Sequence, residues 1–402
     1  MVIWILHLHF SPPEVKGNDR SLFLAQQWQA AGHQVRVFTG QSGYPPNYFE
    51  KNNQVNTYFS KGVEVNVFPV VYHSKLSPLR RILIFRRFKF QLIQYLKKEK
   101  SPDLIYAIST PLETLAAGRK LSTIHKVPLV IELGDIWPDV WYGMGLVRDR
   151  FSKAYWDNYT RRCYQAASLI VLLSPGMKSL VCRLGAYKDK CFVSYNGTHV
   201  REFYPNPTPD LNDEYFRLFY TGSIGRVNGL QYLLEAAKSL SQQGFLKIKI
   251  HLVGNGNDEE RLKEIYYNLG SPETLVWEDS MSKNTLVHRL HQGKAGMVCF
   301  ATYPVLSTNS SNKFYDYCAA GLPVIVNFEG WQAEMIRKED IGAVVDPRNP
   351  ESLVKVLQEW YNNPERARLL GIKARFVAEE NFDREKIGKV LLEKLANLIK
   401  VR

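Results

Sequence analysis

The chain of 402 residues is 45% hydrophobic and carries 52 Lys and Arg against 39 Asp and Glu, which gives a formal net charge of +13. This length exceeds what one hydrophobic core usually serves, so we expect two domains, and the composition excludes a long disordered chain. The excess of positive charge favours an anionic partner, whether nucleic acid, a phosphorylated metabolite or acidic lipid.

The first half of the chain alternates short apolar runs with amphipathic segments. The start, MVIWILHLHF, lacks the basic leader and cleavage site of a secretory signal and is too short to span a bilayer, so it predicts a buried first strand. Helix-like segments such as DRSLFLAQQWQAAG separate the strand-like runs VIWIL, HQVRVF, DLIYAI, VPLVIEL and SLIVLLS. This alternation predicts a parallel sheet covered by helices.

Residues 75–98, KLSPLRRILIFRRFKFQLIQYLKK, combine Arg and Lys with Ile, Leu and Phe at helical spacing. One interpretation is a basic amphipathic helix that docks on an anionic membrane surface. The other is a helix whose apolar face packs on the sheet. No run in the chain has the length of a spanning helix, so the first interpretation predicts peripheral association only.

Asn196-Gly197 and the Pro-rich FYPNPTPD interrupt the pattern, which then restarts with RLFYTGSIG, GLQYLLEAAKSLSQQG and KIKIHLVGNG. We therefore expect domains over residues 1–204 and 205–380, followed by a helix in 381–402 that packs back on the first domain. Two doubly wound Rossmann-like α/β domains would face each other across a cleft. Ligands bind such sheets beyond the carboxyl ends of the strands.

Two segments of the second half are candidates for binding an anion. Gly222 and Gly225 follow a predicted strand, where glycine lets a ligand approach the backbone, and Arg226 can contact phosphate. The alternative for this segment is a plain strand-to-helix turn with a solvated Arg226. In SNKFYDYCAAGLPVIV, Lys313 lies at a predicted helix start and Asp316 one turn later. Lys suits a diphosphate and an ionised Asp suits a ribose diol, whereas an Asn312-capped helix with a solvated Lys is the structural alternative.

The cysteines and acidic residues argue against a metal centre. Five Cys occur without a CxxC pair or a zinc-like His spacing, so they are expected to be buried thiols of a reducing compartment, which favours the cytoplasm. No Asp-x-Asp triplet occurs, which disfavours a metal-bridged diphosphate and favours neutralisation by a helix N-terminus with Arg and Lys. We predict no essential metal and no cofactor.

Six stretches resemble, in this order, the retaining GT-B glycosyltransferases of family 4, especially the bacterial branch that assembles O-antigen, capsule and exopolysaccharide. They are HFSPPEVKGNDRSLFLAQQWQAAGHQVRVFT, ELGDIWPD, SYNGTHVREFYP, YTGSIGRVNGLQYLLEAA, LVGNGNDEERLK and SNKFYDYCAAGLPVIVNFEGWQAEMI. The resemblance implies a hexosyl-type transferase. Its C-terminal domain would hold a nucleotide-sugar donor, with UDP as first choice and GDP as second.

The resemblance also implies roles for individual residues, and the chain departs from the family at two of them. Asp316 matches the second acid of a Glu-x7-Glu element, but Thr308 stands where the first acid is expected, so the sugar contacts pass to Asn309 or Ser310. Ser223 and Asn228 stand where relatives carry Arg and Lys, so Arg226 would substitute. The predicted donor-binding set is Gly17, Gly222, Ser223, Gly225, Arg226, Asn309, Ser310, Lys313, Phe314 and Asp316.

The predicted catalytic residues are Arg226 and Lys313 on the leaving group and Asp135 on a sugar hydroxyl or the acceptor; a turn-forming Asp is the alternative for Asp135. Gly17 would let its loop pass near the donor. The resemblance implies front-face substitution without a protein nucleophile, and a polyprenyl-diphosphate-linked or other glycan acceptor at the inner face of the plasma membrane.

Two other function classes stay open. A nonhydrolysing sugar-nucleotide epimerase shares two facing Rossmann-like domains, although the segments SNKFYDYCAAGLPVI and YNGTHVREFYP favour the transferase. A nucleic-acid-binding protein would explain the basic charge, but no helix-turn-helix spacing, zinc finger or aromatic RNA-binding motif is present, so we predict no nucleic-acid partner.

Overall fold

The computed structural model describes residues 1–10, 20–41, 44, 49, 54–73, 76–143, 147–207 and 213–400. The chain divides into two compact units. The N-terminal unit comprises Met1–Tyr195 and Gly388–Arg402, and the C-terminal unit comprises Asn196–Ile387. Among the described residues, no helix combines the length and the apolar character needed to cross a membrane.

The N-terminal unit is built on an eight-stranded sheet of order β3-β4-β2-β1-β5-β6-β7-β8. All neighbouring strands are parallel except the β3–β4 pair. The strands are β1 (Val2–Leu6), β2 (Gln34–Thr39), β3 (Asn56–Ser60), β4 (Val63–Val67), β5 (Leu104–Ser109), β6 (Leu129–Leu133), β7 (Leu169–Leu172) and β8 (Cys191–Val193). Central strands β5, β6 and β7 are buried along their whole length, as expected of a sheet covered on both faces.

Helices cover both faces of this sheet. The helices of this unit are α1 (Arg20–Ala30), α2 (Pro78–Leu96), α3 (Leu112–His125), α4 (Asp139–Gly143), α5 (Arg150–Ala166) and α6 (Gly176–Arg183). One apolar core contains the buried side chains of α2, α3, α5 and α6. The other contains those of α1 together with Leu391 and Leu395 of the C-terminal helix (Arg384–Lys400).

A buried ion pair ties α1 to the sheet of the N-terminal unit. Arg20 and Glu132 are each only 2% exposed, and the guanidinium donates to one carboxylate oxygen at 3.0 and 3.1 Å. Tyr106 donates to the same oxygen at 2.6 Å. Arg20 also donates to the main-chain oxygens of Ser194 and Tyr195, so the charge is well satisfied despite its burial.

The C-terminal unit has a six-stranded, fully parallel sheet of order β11-β10-β9-β12-β13-β14. Its strands are β9 (Phe216–Thr221), β10 (Ile248–Val253), β11 (Leu275–Glu278), β12 (Ala295–Val298), β13 (Val324–Val326) and β14 (Gly342–Val344). Chain order reverses between β9 and β12, and the crevice outside the carboxyl ends of two such strands is where open α/β sheets bind ligands.

The helices of the C-terminal unit continue the numbering. They are α7 (Gln231–Gln242), α8 (Glu259–Asn268), α9 (Lys283–Leu290), α10 (Asn312–Ala319), α11 (Trp331–Glu339), α12 (Pro350–Asn362) and α13 (Pro364–Val377), and the C-terminal helix, α14, begins at Arg384. A Cβ at Gly296 would lie 2.2 Å from the Tyr317 ring, and the Tyr317 hydroxyl accepts from the Thr221 main-chain N–H at 2.8 Å. Helix α10 therefore packs directly on β12 and β9.

Candidate functional site

The loop after β9 has a backbone that only glycine fits at its closest contacts. Gly222 has φ +125° and donates its N–H to the Val253 oxygen at 2.9 Å. Gly254, at φ +147°, lies so close that a Cβ there would be 1.9 Å from the Gly222 oxygen. The two loops that follow β9 and β10 are thereby held together at the carboxyl edge of the sheet.

Lys313 reaches this loop from the first turn of α10. Its ammonium lies 4.3 Å from the centre of the Tyr220 ring. Its Nζ is also 3.4 Å from where a Gly222 Cβ would be, so the structure brings together two residues that the sequence predicted to share a site. Desolvation lowers the pKa of Lys313 from 10.5 to about 8, although part of the residue stays exposed. A bound anion would stabilise the protonated form of Lys313 and raise its pKa again.

Asp316 follows Lys313 by one turn and is half-buried. The Thr198 hydroxyl donates to its Oδ1 at 2.6 Å. The Asn196 side-chain amide donates to Asn312, the first residue of the same helix. The start of α10 is thus held by two side chains from the first three residues of the C-terminal unit.

Arg226 lies in a 3-10 helix (Arg226–Asn228) after Gly225 and is 82% exposed. Its Nε is 3.4 Å from Asp258, a buried carboxylate that Arg261 binds through two nitrogens at 2.7 and 2.8 Å. Hydrogen bonds from Arg261 lower the pKa of Asp258. The loop after β10 therefore supplies Asp258 as an ion-pair partner for Arg226 at the solvent-exposed edge of the site.

Ser223 and Gly225 form the rest of the loop after β9. The Ser223 residue is exposed, and its main-chain oxygen accepts from the Tyr220 hydroxyl at 2.7 Å and from the Asn228 amide at 2.8 Å. Gly225 is half-buried. Both residues lie where the sequence predicted them, on the turn that follows the strand.

Three other predicted residues build the support of α10. The Ser310 hydroxyl is buried and shares a hydrogen bond of 2.6 Å with Tyr315, while the Asn309 side chain accepts from the Ser310 main-chain N–H at 2.7 Å. Phe314 is fully buried and packs edge-on against Trp331 at 5.7 Å between ring centres. The side chains of Ser310 and Phe314 point into the protein, so a contact of these two with a donor would use main-chain groups.

Sequence reasoning missed Thr198 and Asp258 as partners of the predicted site. Thr198 lies in YNGTHV and Asp258 in NGNDEE, two stretches that carry the family resemblance. Neither stretch indicates by its spacing which side chain it would meet, because the contacts arise from the order of the strands. Gly17 lies outside the described residues.

The carboxyl edge of the N-terminal sheet carries a second group of polar residues. Asp135 follows β6, is half-buried, and has a pKa raised by desolvation. A Cβ at the preceding Gly134 would be 3.4 Å from the Ser109 oxygen, and the Ser109 hydroxyl is buried without a partner among the described residues. His7, after β1, hydrogen-bonds Ser21 at 2.9 Å, and burial lowers its pKa to about 3.

Helix α2 has two faces. Phe88, Leu92 and Leu96 are fully buried in the core that covers one side of the N-terminal sheet. Leu79, Leu83 and Phe90 are between 62% and 76% exposed, and Arg80, Arg86 and Arg87 are exposed beside them. The packing interpretation of this segment is confirmed for one face, and the other face is basic and apolar.

Within the described ranges, no three His, Cys, Asp or Glu side chains come together as a metal site.

Two family models match consecutive parts of the chain. Residues 18–197 match the Glycosyl transferase 4-like domain, and residues 206–376 match Glycosyl transferases group 1. An uncharacterised glycosyltransferase of Methanocaldococcus jannaschii is 25% identical over 48% of the chain and 51% of its own length. WcaI of Escherichia coli, named as a colanic acid biosynthesis glycosyl transferase, is 22% identical over 67% of the chain and 70% of its own length. The chain thus spans about half the length of the first of these relatives.

Solved structures resemble the chain over nearly its whole length. Sucrose-phosphate synthase from Thermosynechococcus elongatus superposes with a TM-score of 0.77 at 15% identity and covers 100% of both chains. HepE of Anabaena, solved in complex with UDP-glucose, superposes with a TM-score of 0.68 at 16% identity and covers 99% of this chain and 100% of its own. At this level of identity the likeness establishes the fold.

Proposed function

Because the chain is a GT-B glycosyltransferase built from a glycosyl transferase 4-like domain and a group 1 domain, we propose that it is a retaining, metal-independent hexosyltransferase. The donor is a nucleoside diphosphate sugar, with UDP as the first choice and GDP as the second. The acceptor is a hydroxyl of a lipid-linked saccharide in cell-surface polysaccharide assembly, at the inner face of the plasma membrane.

The observation that carries the donor assignment is the position of the Lys313 ammonium, on a half-buried residue, next to Gly222 at the switch point of the C-terminal sheet. Asp316, one turn further along α10, supplies a carboxylate. An ammonium ion suits diphosphate oxygens, and an ionised carboxylate suits the two hydroxyls of a ribose. This pair of charges matches the two ends of a nucleoside diphosphate better than it matches nucleic acid or a free sugar.

The chemistry requires the glycosidic bond between the sugar and the β-phosphate to break as the acceptor oxygen bonds to the same carbon. The acceptor proton passes to the departing phosphate, on the face where the new bond forms. Lys313 then stabilises the charge that develops on the leaving group, with Arg226 at the rim. Asp135, in the N-terminal unit, is our candidate for contact with the acceptor.

Two relatives support the choice of substrates. HepE was solved with UDP-glucose, which favours a uridine donor, and WcaI is named for colanic acid biosynthesis, which favours a surface-polysaccharide product. The exposed face of α2, defined by Leu79, Leu83, Phe90, Arg80, Arg86 and Arg87, has the combination of apolar and basic side chains that suits an anionic bilayer. A lipid-linked acceptor would be presented at such a surface.

Titration calorimetry with UDP and GDP tests the donor site. The wild type is expected to bind one of them, and Asp316→Asn is expected to weaken that binding at least tenfold because a hydrogen bond to a charged group is lost. Asp346→Asn is the matched control, because Asp346 is exposed and lies after β14. Unchanged affinity in Asp316→Asn would contradict the assignment.

Product analysis tests the reaction. The enzyme with labelled sugar nucleotides and lipid-linked acceptors, in the presence of EDTA, is expected to give a glycosylated acceptor with the anomeric configuration of the donor. Loss of activity with EDTA would contradict metal independence. Interconversion of free sugar nucleotides without an acceptor would identify an epimerase instead.

Sedimentation with phosphatidylglycerol vesicles tests the membrane surface. The combined variant Arg80→Ser, Arg86→Ser and Arg87→Ser is expected to reduce the bound fraction, since each basic residue near an anionic surface contributes about 1 kcal/mol. Lys389→Ser, Lys394→Ser and Lys400→Ser remove the same charge from α14, which packs on the other face of the sheet. An equal reduction of the vesicle-bound fraction in the two variants would indicate a nonspecific charge effect and would exclude the α2 face as a specific docking surface.

A further inference from the structure

The chain segment that enters the C-terminal unit is held rigidly at its main chain. The Thr198 N–H donates to the Phe382 oxygen at 2.9 Å, and its own oxygen accepts from the Arg384 N–H at 3.0 Å. The Arg384 guanidinium donates to the oxygens of Asn196 and Gly197 at 3.2 and 3.1 Å. A Cβ at Gly197, which has φ +61°, would be 2.7 Å from the Phe382 oxygen. Thr198 therefore has little freedom to move.

From this fixed backbone the Thr198 side chain contacts Asp316. Thr198 is 1% exposed, and its hydroxyl donates to Oδ1 at 2.6 Å, a short distance typical of a donor bound to a carboxylate. The contact joins residues 118 positions apart in the chain. A carboxylate has about four lone-pair positions, and the Thr198 hydroxyl occupies one of them on Oδ1, so the bond restrains the rotation of the Asp316 side chain.

We propose that Thr198 is a positioning residue for pentose recognition, because it sets the orientation in which Asp316 receives the ribose hydroxyls. This inference rests on the proposed donor site and adds to it a residue that touches no substrate. Binding sites require their polar groups to be held close to the productive geometry, and a side chain that can rotate loses part of its binding energy when it is ordered. Thr198 supplies that order before the nucleotide arrives.

The test compares nucleotides that differ only at the pentose. Calorimetry measures the affinity for UDP and for 2′-deoxyuridine diphosphate, with the guanosine pair in parallel, in the wild type, Thr198→Val and Thr198→Ser. Valine keeps the shape of threonine and removes the donor, and serine keeps the donor. The wild type is expected to favour the ribonucleotide about tenfold, as a hydrogen bond to a charged group gives.

Thr198→Val is expected to reduce this preference to about twofold while it binds the deoxynucleotide nearly as well as the wild type, and Thr198→Ser is expected to restore the preference. Circular dichroism and the melting temperature establish that both variants fold. A preference in Thr198→Val equal to that of the wild type would overturn the inference and leave the donor site standing. A wild type that does not distinguish the two nucleotides would overturn the role of Asp316 itself, and with it that of Thr198.

Discussion

Replacing Lys313 by Met is expected to change stability and nucleotide affinity in opposite directions. The wild-type ammonium is held beside the Tyr220 ring and the Gly222 turn, where desolvation disfavours its charge. Methionine has a similar length and packs well against an aromatic ring. The variant therefore avoids the desolvation cost of burying an ammonium group, which raises its stability. It also lacks the positive charge that we propose binds the diphosphate, which lowers its nucleotide affinity.

The magnitude follows from the pKa of Lys313, which falls from 10.5 in the unfolded chain to about 8. This difference corresponds to at most about 3 kcal/mol of unfolding free energy at pH 7, because each pKa unit is worth about 1.4 kcal/mol. The lost cation–π contact offsets about 1 kcal/mol of the gain. Nucleotide-free Lys313→Met is therefore expected to be about 2 kcal/mol more stable than the wild type at pH 7.

The sign of the pH dependence provides a second check. Between pH 8 and 10.5 the unfolded chain holds the Lys313 proton and the folded protein releases it. The contribution of this group to wild-type stability therefore rises with pH across that window. Lys313→Met lacks this contribution, so the stability advantage of the variant should shrink as the pH approaches 10.5.

Urea unfolding from pH 7 to pH 10 measures the stabilities, and calorimetry with UDP and GDP measures the affinities. Lys355→Met is the matched control, because Lys355 is an exposed residue of α12 and its replacement should change neither quantity appreciably. A Lys313→Met variant that is less stable than the wild type at pH 7 and still binds nucleotide with wild-type affinity would contradict both the desolvation of Lys313 and its contact with the diphosphate.

Three further predictions follow from the described contacts. Gly254→Ala should lower the unfolding free energy by about 3 kcal/mol, because its Cβ would be 1.9 Å from the Gly222 oxygen. Gly244 has φ +78° and no atom within 4 Å of a Cβ, so Gly244→Ala should lower the unfolding free energy by only about 1 kcal/mol. Urea unfolding of the two variants measures the difference. Glu132→Gln should cost about 3 kcal/mol in the same assay, because it leaves the Arg20 charge buried without its anion. Donor affinity should fall about tenfold from pH 7 to pH 9 as Lys313 loses its proton, and calorimetry in buffers of different ionisation enthalpy should detect proton uptake on binding at pH 9.

The fold could be predicted because its signal is local. Alternating apolar strands and amphipathic helices repeat along both halves of the chain, and parallel sheets covered by helices follow from that pattern. The approach of Lys313 to Gly222 could also be predicted, since the carboxyl ends of parallel strands meet at one edge of the sheet. Both predictions depend on topology more than on side-chain detail.

The partners of the site residues could not be predicted. Thr198 meets Asp316 only because the segment before β9 returns to the start of α10, and no local spacing encodes a contact over 118 positions. The burial of Phe314 could not be predicted from the sequence either. Phe314 is adjacent to Lys313 in the chain, but the helical turn directs its side chain into the apolar interior against Trp331. The pairing of Arg226 with Asp258 depends on how the loops after β9 and β10 fit together.

The amphipathic helix at residues 75–98 shows how one pattern can serve two purposes. Helix α2 begins at Pro78, buries Phe88 in the core, and leaves Leu79 and Leu83 in solvent beside exposed arginines. Core packing explains one apolar stripe but not the second. Membrane docking by the second stripe stays a prediction, and the vesicle experiment decides it.

A crystal structure of the protein with bound UDP or GDP tests the central claim most directly. The proposal predicts diphosphate oxygens within about 3 Å of the Lys313 ammonium and ribose hydroxyls within the same distance of the Asp316 carboxylate. A nucleotide bound elsewhere, with both side chains unchanged and out of reach, would contradict it.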